Sequence, residues 1–253
     1  MSYERFGEGP DVVWGHGLTQ SRSLEDRRGL VDWRDVAATV TRYDARGHGE
    51  SESTDDLDAY HWSALALDQL GLADVLGIER YVAAGASMGC ATALHAAVVA
   101  PERIRAMVLV IPPTGWETRA AQTDVYEAGA HVVATQGIEP LIRASRLRPP
   151  PDPFIDDPAY REVGEAAMRN WDTERLARVM LGAARAQLPD RSAIAAIACP
   201  TLVLSWTGDA VHPESSADEL TELLPDVEHH VASTATELAT WSTRIAHFVA
   251  RTA

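Results

Sequence analysis

Lysine is absent from this chain, because all 22 basic residues among its 253 are arginine. A mechanism that needs a lysine Schiff base is therefore excluded. The two cysteines, Cys90 and Cys199, stand far apart, so no disulfide framework is expected and a reducing compartment fits. No apolar run approaches about 18 residues and the N-terminus has no signal-peptide pattern, so we expect a soluble, cytoplasmic protein without a membrane partner.

Positive charge is also scarce, and the formal net charge is −15. Nucleic-acid binding needs clustered positive charge, so we expect no nucleic-acid partner. Histidines and carboxylates show no metal-ligand spacing, and no glycine-rich nucleotide loop opens the first helix, so we expect neither a metal nor a cofactor. The expected partner is a small-molecule substrate, and the sequence leaves a monomer and a homodimer open.

The chain does contain short apolar runs that alternate with segments of helical period. Such a pattern predicts an α/β fold with a doubly wound, mostly parallel sheet, whose ligands lie at the carboxyl ends of the strands. The predicted strands are residues 11–14, 38–43, 81–85, 106–111, 201–206 and 227–232, and the predicted helices are residues 60–77, 88–100, 214–224 and 236–250.

One interval breaks this alternation, since residues 115–195 show helical stretches (157–170 and 173–187) and no strand pattern. We interpret it as a helical cap inserted into a core of residues 1–114 and 196–253. Its proline-rich segment, RLRPPPDPFIDDP, is interpreted as a surface loop in preference to a hinge. The arginines Arg143, Arg146 and Arg148 can meet an anionic substrate or can simply be solvated.

The segment Gly-Ala-Ser-Met-Gly, residues 85 to 89, fits the pattern G-x-S-x-G between a predicted strand and a predicted helix. A sharp strand-to-helix turn holds the serine in a strained conformation, so residues two positions away must lack bulk, as Gly85 and Gly89 do. The following helix aims its positive end at the serine. We therefore predict that Ser87 is a nucleophile, although a chance match or a helix cap would also place a serine here.

These motifs resemble those of the α/β-hydrolase superfamily, and the resemblance covers nearly the whole chain. The stretch VVWGHGLTQS is similar to that family's oxyanion loop, which implies the backbone N–H groups of Leu18 and Met88 as the oxyanion donors. The stretch RYDARGHGES resembles the segment after the next strand, where His48 would be structural. The short N-terminus implies that the family's first strands are reduced to one around Tyr3–Phe6 or are missing.

The family's order of catalytic residues is nucleophile, acid, histidine. The stretch CPTLVLSWTGDAVHP resembles the segment that carries the acid, which implies Asp209 in that role, although an aspartate here can also cap the next helix. Aligning the last strand and helix puts Ala235 and Thr236 where the family has Gly-His. A threonine hydroxyl does not accept a proton near neutral pH, so the expected base is missing.

Another histidine can replace it only if its ring reaches the serine. We keep His212, three residues after Asp209 in the same loop, while noting that a polar residue here can serve only to shape the loop. The remaining candidates are interpreted as structural or solvent-facing: His16, His95, His229, His230 and His247.

The leading hypothesis is a hydrolase that acts on an ester, lactone or thioester of a small molecule through Ser87 and a backbone oxyanion hole. A second is a cofactor-free lyase, isomerase or cyclase on the same scaffold, because a fold does not dictate its chemistry. A third is a catalytically silent small-molecule-binding module.

Overall fold

The computed structural model describes residues 1–28 and 30–252. Its centre is a seven-stranded sheet with the order β1-β3-β2-β4-β5-β6-β7, in which only β1 runs antiparallel to its neighbour. The strands are β1 (Tyr3–Phe6), β2 (Asp11–Gly15), β3 (Thr39–Tyr43), β4 (Tyr81–Ala86), β5 (Ile104–Val110), β6 (Thr201–Trp206) and β7 (Val227–Ala232). Strands β4 and β6 are buried throughout, as expected for parallel strands covered on both faces.

Helices cover both faces of this sheet and also form an insertion between β5 and β6. The α-helices are α1 (Arg22–Arg28), α2 (Trp62–Val75), α3 (Met88–Val99), α4 (Trp116–Gln136), α5 (Glu139–Ser145), α6 (Pro158–Arg169), α7 (Thr173–Arg185), α8 (Arg191–Ala195), α9 (Glu214–Leu223), α10 (Ala235–Leu238) and α11 (Trp241–Thr252). Short 3₁₀ helices occupy Trp33–Asp35, Leu57–Tyr60, Pro101–Arg103 and Asp152–Phe154.

Two hydrophobic clusters lie on opposite faces of the sheet. One packs α2, α3 and α9 against the sheet and includes Leu94 and Met107, and the other packs α11 against it and includes Trp206 and Trp241. The carboxyl ends of β2, β4 and β6 all open toward one edge of the sheet, because these strands are parallel. The loops that follow these three strands therefore meet near the middle of that edge.

The predicted fold class is confirmed, with a mostly parallel sheet and helices on both faces. A strand is present at Tyr3–Phe6, and all six predicted strands appear within a few residues of their expected bounds. Helices α4 to α8 follow one another between β5 and β6, within the predicted insertion. No helix in the described chain combines the length and hydropathy that crossing a membrane requires.

The single helix predicted over residues 236–250 is wrong, because the chain forms α10 and α11 with a break between them. Helix α10 is closed at its start by a capping box, in which the Thr234 hydroxyl accepts from Glu237 N–H and the Glu237 carboxylate accepts from Thr234 N–H. Thr240 then ends this turn by donating its hydroxyl to Glu237 O, and its own carbonyl accepts from Arg244 N–H at the start of the next helix.

Candidate active site

Ser87 lies at the corner between β4 and α3 with φ 51° and ψ −108°, a backbone conformation that side-chain-bearing residues rarely adopt. The corner is tight because a Cβ on Gly85 would lie 2.3 Å from Gly89 C, and one on Gly89 would lie 2.0 Å from Gly15 O. Ser87 N–H donates to Val110 O at 3.0 Å, which fixes the corner to β5. Glycine is therefore required at residues 85 and 89 for this turn to form.

The loop after β2 lies directly against the serine. A Cβ on Gly17 would be 3.7 Å from Ser87 Cβ, so the loop backbone approaches the hydroxyl closely. Within the part of the chain that the structure describes, the backbone N–H groups of Leu18 and Met88 donate to no protein acceptor. Met88 begins α3, so its N–H is one of the unpaired donors at the positive end of that helix.

Two histidines hold this loop in place. His16 Nε2 accepts from Ala45 N–H at 3.0 Å, so the ring proton is on Nδ1, which donates to Gly17 O at 2.8 Å. Burial, with the charge of His48, lowers the pKa of His16 to about 3, in agreement with a neutral ring. The His48 ring lies between two carbonyl oxygens and has Nε2 2.6 Å from Leu18 O. Both side chains therefore have structural roles beneath the loop.

The loop after β6, residues 207–213, brings the two other predicted residues to the serine. We call it the acid–histidine loop. His212 Nε2 lies 2.9 Å from Ser87 Oγ, and His212 Nδ1 lies 2.7 Å from Asp209 Oδ2. An ionised carboxylate only accepts, so Nδ1–H donates to Asp209, and Nε2 is free to accept the Ser87 hydroxyl proton. The three side chains form one continuous hydrogen-bonded chain.

Asp209 is held ionised by its surroundings. Burial alone would raise its pKa, but His212 and the N–H groups of Val211 and Trp206 together outweigh burial and lower the pKa to about 2. Val211 N–H donates to Oδ1 at 2.8 Å, and Trp206 Nε1–H donates to Oδ2 at 2.9 Å. The carboxylate therefore remains charged at neutral pH and holds the His212 ring in one tautomer and one orientation.

A cavity of about 480 Å³ opens on Ser87 and His212. Its walls are largely apolar and come from both the core and the helical insertion: Trp14, Trp33, Ile111 and Trp206 from the core, and Val125, Leu141, Val163 and Met180 from the insertion. Two polar side chains of α4, Gln122 and Tyr126, also line it. Burial raises the pKa of the Tyr126 hydroxyl, which is therefore a neutral hydrogen-bonding group inside the cavity.

Thr236, at the position where the resemblance implies a histidine, lies exposed in α10. His95 contacts Gln187 O at 2.9 Å, and His229 contacts Ser205 Oγ at 2.8 Å, so both are engaged elsewhere. His247 is exposed on α11. Of the candidate bases, His212 is the one that the structure brings to the serine.

The three arginines of the insertion that the sequence offers for an anionic substrate are all exposed. Arg146 forms an ion pair with Glu165 at 2.6 Å, and Arg148 lines the cavity. Arg143 is likewise on the surface of α5. Arg143 lies on a solvated face of α5, Arg146 and Arg148 follow the end of that helix, and Arg148 is the one that borders the cavity.

Sequence reasoning missed Trp206, Gln122 and Tyr126. Trp206 lies three residues before Asp209 within the stretch quoted for the acid, so its proximity was a usable signal. Gln122 and Tyr126 are four residues apart on α4 and so share one helix face, but the sequence does not say that this face covers Ser87.

The chain belongs to the alpha/beta hydrolase family, which it matches over residues 12–241. It is 28% identical over 263 aligned positions to RutD of Variovorax paradoxus, a protein named as a carbamate hydrolase, covering 99% of this chain and 96% of that protein. A solved esterase from Thermogutta terrifontis is similar with a TM-score of 0.81 and 23% identity, covering 99% of this chain and 93% of that one. The enol-lactonase from Burkholderia xenovorans LB400 has a TM-score of 0.77 and 24% identity, with 99% and 94% covered.

Proposed function

We propose that this chain is a serine-nucleophile hydrolase that acts on an ester, lactone or thioester of a small molecule. The observation that carries the proposal is the hydrogen-bonded chain from Ser87 Oγ through the His212 ring to Asp209, at distances of 2.9 and 2.7 Å. Ser87, at one end of this hydrogen-bonded series, lines a cavity large enough for a small-molecule acyl compound. The relatives are named as a carbamate hydrolase, an esterase and an enol-lactonase, which agrees with this class of reaction.

In this mechanism the Ser87 hydroxyl attacks the substrate carbonyl while His212 Nε2 takes the hydroxyl proton. The negative charge that develops on the carbonyl oxygen is stabilised by the free N–H groups of Leu18 and Met88. His212 then donates the proton to the leaving group, and water releases the acyl group by the same steps in reverse. Asp209 stabilises the His212 imidazolium whenever it forms.

The cavity favours an uncharged acyl group. Its buried arginine, Arg42, already pairs with Asp26 at 2.6 Å and with Glu4 at 3.0 Å. The other arginines that line the cavity are exposed: Arg27, Arg34 and Arg148. The buried walls are mostly aromatic and aliphatic, so a substrate carboxylate held among them would lack a dedicated partner. The helical insertion supplies several of these walls, and residues 115–195 therefore act as a cap over the site.

One experiment tests the reaction and the substrate class together. A fluorophosphonate probe is expected to label the protein, and Ser87→Ala is expected to abolish both labelling and hydrolysis of p-nitrophenyl hexanoate. The mono-p-nitrophenyl ester of adipate has an acyl chain of the same length as the hexanoate ester but ends in a carboxylate. It is expected to be hydrolysed with a kcat/KM about tenfold lower than that of the hexanoate ester. Hydrolysis without any covalent adduct would instead mean that Ser87 is not the nucleophile. Absence of both labelling and hydrolysis would leave the lyase, isomerase or cyclase and the silent binding module as the alternatives.

A further inference from the structure

The proline-rich segment of the insertion docks on the acid–histidine loop. Its residues 151–154, which we call the strap, consist of Pro151 and the 3₁₀ helix Asp152–Phe154. Both prolines of the strap, Pro151 and Pro153, are buried, so the strap is anchored and conformationally restricted. These four residues are therefore docked on the rest of the protein, unlike a free loop or a flexible hinge.

Two hydrogen bonds join the strap to the first residue of the acid–histidine loop. Asp152 N–H donates to Thr207 O at 3.0 Å, and the Thr207 hydroxyl donates to Asp152 Oδ2 at 2.6 Å. On its other side, Thr207 N–H donates to Ala232 O at the end of β7. The loop is thus held between the strap and the sheet.

The next residue of the loop fits tightly against the strap. Gly208 has φ +79°, and a Cβ there would lie 2.4 Å from Asp152 Oδ1. The Phe154 ring packs edge-on against Trp206, with centroids 5.5 Å apart, and Trp206 in turn donates to Asp209. The strap therefore contacts the residues on which the acid depends.

Because Asp209 and His212 share this one short loop, any shift of the loop moves the acid and the base together relative to Ser87. Ser87 itself is fixed by β4, β5 and α3 and would not follow. A misplacement of about 1 Å in a catalytic array can cost about a hundredfold in rate. The contact between strap and loop therefore controls the distance between His212 Nε2 and Ser87 Oγ.

We propose that Asp152 is a positioning residue, which holds the acid–histidine loop at the distance from Ser87 that proton transfer needs. This inference rests on the proposed hydrolase function. Asp152 is exposed and does not line the cavity, so its effect is expected in kcat and not in KM.

The test compares Asp152→Ala, Thr207→Val and the double variant, with p-nitrophenyl hexanoate as substrate. Each single variant is expected to lower kcat about tenfold with KM within about twofold of the unmodified protein. The double variant is expected to be no worse than either single one, because both remove the same contact. The rate of inactivation by a fluorophosphonate is expected to fall in parallel, and melting temperatures show that each variant is folded.

Two further variants separate positioning from charge. Asp152→Asn keeps an oxygen that can accept from the Thr207 hydroxyl and is expected to retain most of the activity. Asp156→Ala, which removes an exposed carboxylate of the same segment, is the matched control and is expected to be unchanged.

The proposal is overturned if Asp152→Ala matches Asp156→Ala, if Asp152→Asn is as slow as Asp152→Ala, or if the two single effects add. A rise in KM with an unchanged kcat would likewise overturn it, since that would mean substrate contact. Absence of hydrolysis in the unmodified protein would instead count against the proposed function itself.

Discussion

Among the residues that the structure describes, two serine–histidine–aspartate arrangements can be compared, and they differ in what surrounds them. In the first, Ser87 lies 2.9 Å from His212 and His212 lies 2.7 Å from Asp209. In the second, Ser205 on β6 lies 2.8 Å from His229 on β7, and Asp218 on α9 is 4.0 Å from the same ring.

The serine–histidine distances are nearly equal, yet only the first arrangement has the surroundings that our proposed mechanism of acyl transfer requires. Ser205 is 2% exposed and lies within a strand that pairs on both sides, so its backbone is committed to the sheet. Ser87 lies at a corner, beside two free N–H donors and a cavity. The comparison shows that access and backbone geometry, more than the three residue types, define a site of this kind.

The largest expected loss of activity comes from replacing His212 by glutamine, and the same replacement of His229 tests the comparison. His212→Gln is expected to lower kcat/KM about 10⁵-fold because, in the described part of the chain, no other imidazole is hydrogen-bonded to Ser87. His229→Gln is the matched control and is expected to leave kcat/KM within about twofold. Steady-state hydrolysis of p-nitrophenyl hexanoate measures both, and equal losses in the two variants would remove the distinction between the arrangements.

A smaller loss of kcat is expected when Asp209 is replaced, with Asp218 as the comparison. Asp209→Asn is expected to lower kcat about 10³-fold, because both carboxylate oxygens accept N–H groups and an amide nitrogen cannot take either place. Asp218→Asn removes a mostly exposed carboxylate and is expected to leave kcat unchanged. If Asp209→Asn kept full activity in the same assay, Asp209 would have no part in orienting His212.

The smallest effect is expected from Ser205→Ala. Loss of its hydrogen bond to His229 is expected to lower the free energy of unfolding by about 1 kcal/mol, with fluorophosphonate labelling unchanged. Urea unfolding measures the first quantity and gel fluorescence the second. Reduced labelling would show that the second arrangement takes part in the reaction after all.

Much of the candidate site is readable in the chain itself. The corner at Ser87 needs glycine two residues away on each side, and this local requirement is visible as a motif. The resemblance implies Leu18 from its place after a His-Gly pair, and Asp209 from its place after an apolar strand. The resemblance also predicts that the family's usual base is replaced by Thr236, and the structure has this residue in a short helix closed by its own capping box.

The choice of His212 over the other histidines was left open by spacing alone. A three-residue separation from Asp209 allows a ring contact but does not require one, and the contact to Ser87 spans 125 residues of chain. The proline-rich segment alone predicts a surface loop, because proline indicates where a helix cannot continue and not what the resulting turn packs against.

The positions of the strands along the chain, the corner at Ser87 and the loop that carries Asp209 follow from local pattern, because hydrophobic period, glycine spacing and turn chemistry act between residues close in the chain. The imidazole that reaches Ser87, the cavity walls supplied from both the core and the insertion, and the strap on the acid–histidine loop depend on packing between distant segments. Those contacts depend on how the inserted helices pack over the carboxyl ends of the strands. That packing is the sum of many weak interactions between distant residues, which no short stretch of sequence determines.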